Sequence, residues 1–189
     1  MAKEFSKKYL KARALSLVRS GEIEAGIEKY KQYLGLNPED DDAWAGLGGA
    51  YRRKGDIGQA IESYEKAFNI NEQSTYSLVN IVSLGAARNW EQDQAKRRVY
   101  LPKAIRLVKE DIETGEGDYW SWYDLATLQL IQGDVEEAVR TFNYAADLTP
   151  ATAKEKFRSV LSNLNFLKEH NPSIEGISVV IEVINQHLS

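Results

Sequence analysis

The sequence predicts an all-α protein made of antiparallel helix pairs stacked one on the next, and three observations carry that prediction. The first is internal repetition: Gly21-Glu22-Ile23-Glu24-Ala25-Gly26-Ile27-Glu28-Lys29-Tyr30 returns 34 residues later as Gly55-Asp56-Ile57-Gly58-Gln59-Ala60-Ile61-Glu62-Ser63-Tyr64. A third copy, Gly133-Asp134-Val135-Glu136-Glu137-Ala138-Val139-Arg140-Thr141-Phe142, lies 78 residues beyond the second. That distance is two periods of about 34 with about ten extra residues. The second observation is that apolar residues inside each period recur at the spacing of one helix face. The third is punctuation. Gly21, Gly55 and Gly133 fall where the first helix of each pair should end, and Pro38 and Pro150 break the chain between pairs.

The elements follow in order. The four pairs cover about residues 7–40, 41–74, 75–118 and 119–152, within a repeat region of 1–152. The extra residues fall in the third pair, near 88–102, where Glu91, Ala95 and Val99 have helical spacing and permit a lengthened or additional helix. This stretch also contains Trp90 and the basic run Lys96-Arg97-Arg98, which reads as a solvated face or as a contact for an acidic partner. Residues 153–189 read as a capping or extending helical hairpin, with Phe157, Val160, Leu161, Leu164 and Leu167 on one face. Its last helix is expected from about Ser173 to His187, although its β-branched residues leave a strand open over Gly176 to Ile184.

The second unit, with Trp44-x-x-Leu47-Gly48-x-x-Tyr51 followed by Ala60-x-x-x-Tyr64 and Ala67, resembles the tetratricopeptide-repeat signature. The fourth is similar through Trp122, Leu125, Ala126, Ala138, Phe142, Ala145 and Pro150, with Gln129 where the tyrosine would stand. The first matches more weakly through Leu10, Ala14, Leu17, Gly26, Tyr30, Tyr33 and Pro38. The third has Leu78, Ile81, Val82 and Gly85, then Ala104, Val108 and Asp111. The resemblance runs over about residues 7–152 and implies a right-handed solenoid of about four repeats that holds a protein or peptide on its concave face. The chaperone-tail clamp found in part of that family is not expected. Asn80 fits one of its asparagines, but Gly49, Trp120 and Asp124 supply neither amide nor positive charge at the other positions.

Composition narrows the function classes. A net charge of −4 gives no general attraction for phosphates, so nucleic acid is not an expected partner. No apolar run is long enough to span a bilayer, and the basic start (Lys3, Lys7, Lys8, Lys11, Arg13) is not followed by a secretory-type apolar run. With no cysteine, the expectation is a cytoplasmic chain without membrane contact. Asp40-Asp41-Asp42 precedes a helix and reads as capping acids, because calcium-loop spacing is absent. No phosphate loop, nucleophile elbow or zinc motif occurs, and neither His170 nor His187 has a plausible ligand set. No catalysis, cofactor or metal is therefore expected.

What remains is a binding or assembly function. If Trp44, Leu47, Gly48 and Tyr51 face inward, Arg52 and Arg53 turn the other way. The same offset assigns Lys8, Lys11, Arg19, Tyr76, Asn80, Trp120 and Tyr123 to a peptide groove, basic at one end and aromatic at the other. Its natural ligand is an extended acidic and apolar segment. The alternative is a structural or self-association element, or a regulatory domain of a larger protein. The last helix has only a narrow polar stripe, so it either sits in an enclosing pocket, meets a missing domain, or pairs with a second copy as a homodimer through Ile177, Val180, Val183 and Ile184.

Overall fold

The computed structural model describes residues 2–115, 117–153 and 155–188, apart from the side chains of 2–8, 151, 155, 156 and 188. Among the described residues ten α-helices and no strand occur: α1 (Ala2–Arg19), α2 (Ile23–Leu34), α3 (Asp41–Lys54), α4 (Ile57–Ile70), α5 (Thr75–Arg88), α6 (Glu91–Thr114), α7 (Tyr119–Gln132), α8 (Val135–Leu148), α9 (Glu155–His170) and α10 (Ile177–Leu188). None of the helices searched is long and apolar enough to cross a membrane. Two compact units divide the chain, Met1–Ile81 and Val82–Ser189.

In the first unit, short turns force consecutive helices to run antiparallel. Gly55 closes α3 at φ 85°, a left-handed backbone that costs glycine little, and Asp56 then accepts the Gln59 amide at 3.1 Å to start α4. The buried core consists of Leu17, Ile27, Tyr30, Leu47, Ile61, Tyr64 and Phe68. Close approach depends on glycine. A Cβ on Gly48 would lie 3.0 Å from the Tyr64 ring, and one on Gly46 would lie 2.5 Å from the Tyr30 hydroxyl. Trp44 is half-buried: its indole donates to the Pro38 carbonyl at 2.7 Å, and the Lys66 ammonium sits 4.3 Å from its ring centre.

A polar knot ties three helices together at the start of α3. Asp40 accepts the Ala43 amide at 2.8 Å and the Tyr33 hydroxyl at 2.6 Å, and Lys11 from α1 reaches it at 2.9 Å. Lys11 also meets Asp42 at 2.8 Å. Burial pushes the Asp40 carboxyl up, but its bonds from Tyr33, Lys11 and the Ala43 amide outweigh this and hold it below the usual carboxylate range. The capping role expected of this acidic run is what the geometry provides, with the addition of a cross-helix partner.

In the second unit, the ten extra residues lengthen one helix. α6 runs 24 residues where α7 and α8 have 14 each. Its entry is fixed by an ion pair in which Arg88 grips Asp93 with two hydrogen bonds, at 2.7 and 2.5 Å, and the Asp93 side chain is 1% exposed. Asp93 also accepts the Trp90 amide at 3.2 Å, completing the helix start. Gly133 closes α7 at φ 97° in the same way that Gly55 closes α3.

α9 and α10 complete the second core, with Phe157, Leu164, Leu167 and Ile184 against Tyr123, Phe142 and Ala126. The last helix begins at Ile177 and not at Ser173. The chain before it turns through Asn171, whose buried amide donates to the Ala86 carbonyl at 2.8 Å, and through Gly176 at φ 76°. Gly176 to Ile184 is therefore helical from Ile177 on, and the strand alternative fails. The self-association surface also fails as drawn. Ile177, Val180 and Ile184 are 3%, 0% and 0% exposed, and Val183 is half-buried, because α10 lays this face on α8 and α9 of its own chain. Burying such a side chain stabilises the fold by about 1.5–3 kcal/mol, which explains a helix so poor in polar residues.

Two stability outcomes follow. Asp40→Ala should cost about 1–2 kcal/mol by urea unfolding near neutral pH. Because the folded pKa of Asp40 is depressed, its contribution is present above the unfolded value and is lost as pH falls through the folded one. The gap between wild type and variant should thus narrow below about pH 4. Asp93→Ala should cost more, about 3 kcal/mol, because it leaves the largely buried Arg88 guanidinium without its carboxylate. A loss below about 1 kcal/mol in thermal or urea unfolding would refute this.

Candidate functional site

The first unit contains a cleft of about 770 Å³. α1 contributes Lys11, Leu15, Val18 and Arg19, and α2 contributes Tyr30 and Tyr33. Its floor is α3, whose Ala45, Gly46, Gly49 and Arg53 follow one another at helical spacing, and Tyr76 of α5 completes the wall. Gly49 leaves the floor open, since a Cβ there would meet only the Tyr64 and Tyr76 hydroxyls at 3.5 and 3.8 Å. Four of the expected groove residues, Lys11, Arg19, Arg53 and Tyr76, come together here.

Their charges are not equally available. Burial lowers the Lys11 pKa, but bonds to Asp42 and Asp40 more than reverse this and hold it well above the ordinary lysine range, so its charge is committed. Arg53 donates to the Val18 carbonyl at 2.9 Å. Arg19 is exposed and has no carboxylate partner among the described residues. Burial, then the Asp42 charge, raises the Tyr30 pKa; the Tyr33 pKa is raised by its hydrogen bond to Asp40, then by burial. Both phenols therefore stay protonated at neutral pH. The cleft offers an open guanidinium beside neutral hydroxyls and a smooth apolar floor, an arrangement suited to holding a chain with carboxylate and apolar groups.

The other assigned residues lie elsewhere. Arg52 donates to Asn80 at 2.9 Å, and the Asn80 amide donates to the Tyr76 carbonyl at 2.8 Å, so buried Asn80 braces the wall and presents nothing to a ligand. The Lys8 side chain lies outside the described residues. In the second unit Trp120 is half-buried between Tyr119 and Tyr123, with ring centres 5.5 and 6.1 Å away. Tyr123 is a correction. It is 3% exposed, bonds Thr149 at 3.0 Å and packs on Phe142 and Phe157. The helix-offset rule missed this because Phe157 belongs to the hairpin beyond the repeats. Tyr30 and Tyr33, both on α2, are site residues the rule missed, since it assigned only first helices to the groove.

Comparison with known proteins agrees with this architecture. A family model described as tetratricopeptide repeat matches residues 11–72. The chain is similar to tetratricopeptide repeat protein 37 of Xenopus laevis, 25% identical over 144 residues, which are 72% of this chain and 9% of that protein. It is also similar to BBSome complex member BBS4 of Xenopus tropicalis, 27% identical over 137 residues, 72% of this chain and 24% of that protein. The chain thus spans under a quarter of either relative's length. Among solved structures, a thermophilic TPR protein of Thermus thermophilus matches with a TM-score of 0.59 at 16% identity, over 95% of this chain and 99% of that one. YrrB, described as a TPR protein with an unusual peptide-binding site, matches with a TM-score of 0.52 at 18% identity, over 94% of this chain and 84% of that one. With its 34-residue period, its glycine-closed helix pairs and these likenesses, the chain has the fold of tetratricopeptide-repeat proteins, and its residues 11–72 match the model of that family.

Proposed function

We propose that this chain is a non-catalytic scaffold that binds a protein or peptide segment in the cleft of its first unit. The observation that carries the reading is the pairing of Arg19, without a carboxylate partner among the described residues, with a floor that lies open at Gly49. An extended segment with an acidic residue and neighbouring apolar residues is its natural occupant: the carboxylate meets Arg19, and the apolar groups cover Leu15, Val18 and Ala45. Tyr30, Tyr33 and Tyr76 supply hydroxyls to its backbone. Relatives whose names include membership of a protein complex, and a structural neighbour described by a peptide-binding site, support a role in holding partners. Self-association through α10 is not part of this proposal, because the side chains it would use are inside the fold.

The test is a random peptide library selected on the purified chain, followed by titration of the best binder. Selected peptides should share an acidic residue next to apolar ones. Arg19→Glu and Gly49→Met should each weaken that binder about tenfold or more, the first by charge and the second by filling the floor, with little change in melting temperature. Binding left unchanged in both folded variants would refute the cleft as the working surface.

A further inference from the structure

We infer that the outer face of α6 is a second docking surface, separate from the cleft, for an acidic amphipathic protein segment. The sequence concentrates charge here. Six basic residues and no acidic residue lie between Gln94 and Lys109, whereas the rest of the chain has 18 basic against 28 acidic residues, a balance of −10. The structure turns this run into a stripe. Ala104, Leu107 and Val108 face the core, and Ala95, Arg98, Val99, Pro102, Arg106 and Lys109 are exposed on the opposite side of the same helix. From Ala95 to Lys109 the stripe extends about 21 Å at the rise of an α-helix.

Two features separate this stripe from an ordinary solvated face. On α8 an exposed cation is neutralised locally: Arg140 meets Glu136 at 2.8 Å and Glu137 at 2.6 Å. On α6 Arg106 has Glu110 at 2.6 Å, but Arg98 and Lys109 have no carboxylate partner among the described residues. Secondly, Val99 is 67% exposed, the most exposed large apolar side chain among the described residues, and it lies between these cations beside Pro102. A polyphosphate would leave Val99 and Pro102 facing charge and would meet the acidic balance of the remaining chain. An amphipathic segment with glutamates flanking leucines matches both parts: its carboxylates reach Arg98, Arg106 and Lys109, and its apolar side chains cover Ala95, Val99 and Pro102.

The probe is a fluorescein-labelled helix-forming peptide of about 14 residues, long enough to match the stripe, with leucine on one face and glutamate beside it. Controls are the same peptide with its leucines changed to glutamine and a labelled single-stranded RNA. Anisotropy should show salt-sensitive binding of the glutamate-leucine peptide, weakened about tenfold by Arg98→Glu/Lys109→Glu and severalfold by Val99→Ser. All of these changes are on exposed positions, so circular dichroism should be unchanged. Arg19→Glu should leave this binding intact, which separates the surface from the cleft. The inference is overturned if the double charge reversal binds as well as wild type, or if the leucine-free peptide or the RNA binds as tightly as the amphipathic one. Loss of binding in Arg19→Glu would overturn it as well.

Discussion

Two helices can approach within touching distance of their backbones only where one of them lacks a side chain, and the first unit depends on that constraint at two tyrosines. The Tyr64 ring lies where a Gly48 side chain would be, and the Tyr30 hydroxyl lies where a Gly46 side chain would be. Each pairing buries a large aromatic at 0% and 3% exposure while keeping the helices close. The same absence of side chains on α3 makes the cleft. Gly46 admits the Tyr30 hydroxyl, and Gly49, one turn further along the same face, leaves the floor open. Packing and the open floor thus share one cause, and a larger residue at Gly46 would damage the packing.

Electrostatics acts on top of this packing, chiefly by removing charge from use. Lys11 would be a groove cation by position, yet Asp40 and Asp42 hold it at 2.9 and 2.8 Å. Asp40 is needed to cap α3, and its caps and partners are fixed before any ligand arrives. A ligand carboxylate approaching Lys11 would have to displace an existing ion pair, whereas one approaching Arg19 would not. Among the described cations that line the cleft, Arg19 is therefore the open anchoring point.

The repeat architecture was legible because period, glycine and proline are local signals that tertiary structure has no reason to overrule. Gly55 and Gly133 end their helices in left-handed backbone, as their places in the period imply. The groove was only partly legible. Lys11, Arg19, Arg53 and Tyr76 meet in the cleft because they share a helix-face offset. Asn80 and Tyr123 share that offset too, but Asn80 is buried bracing the cleft wall and Tyr123 is buried under Phe157, which comes from the non-repeating hairpin. Offsets read from one pair carry no information about what a later segment covers. The same limit explains α10: its apolar residues gave no means of distinguishing an enclosing pocket from a partner, and the pocket is made by α8 and α9.

The insertion in the third pair shows how a repeat protein can acquire new surface without disturbing its packing. Ten residues added to a loop would have to be ordered at an entropic cost or left mobile, whereas ten added to a helix extend an existing ladder of hydrogen bonds. The extension needs a firm start, and the Arg88–Asp93 pair provides it, with Asp93 also accepting the Trp90 amide. Asp93 is buried within the second unit, so the start of α6 is anchored by the fold and the residues that follow need not be. From Gln94 to Lys109 the buried positions Ala104, Leu107 and Val108 satisfy the core, and the exposed ones are free to vary. They have become cationic in a chain whose balance is otherwise acidic, and without acidic neighbours inside that segment. Solubility alone does not require this, because an acidic chain gains nothing in net charge from a local excess of the opposite sign. A patch of opposite sign on one helix is instead what the proposed docking of an acidic segment would use, and the buried Arg88–Asp93 pair anchors the start of that helix.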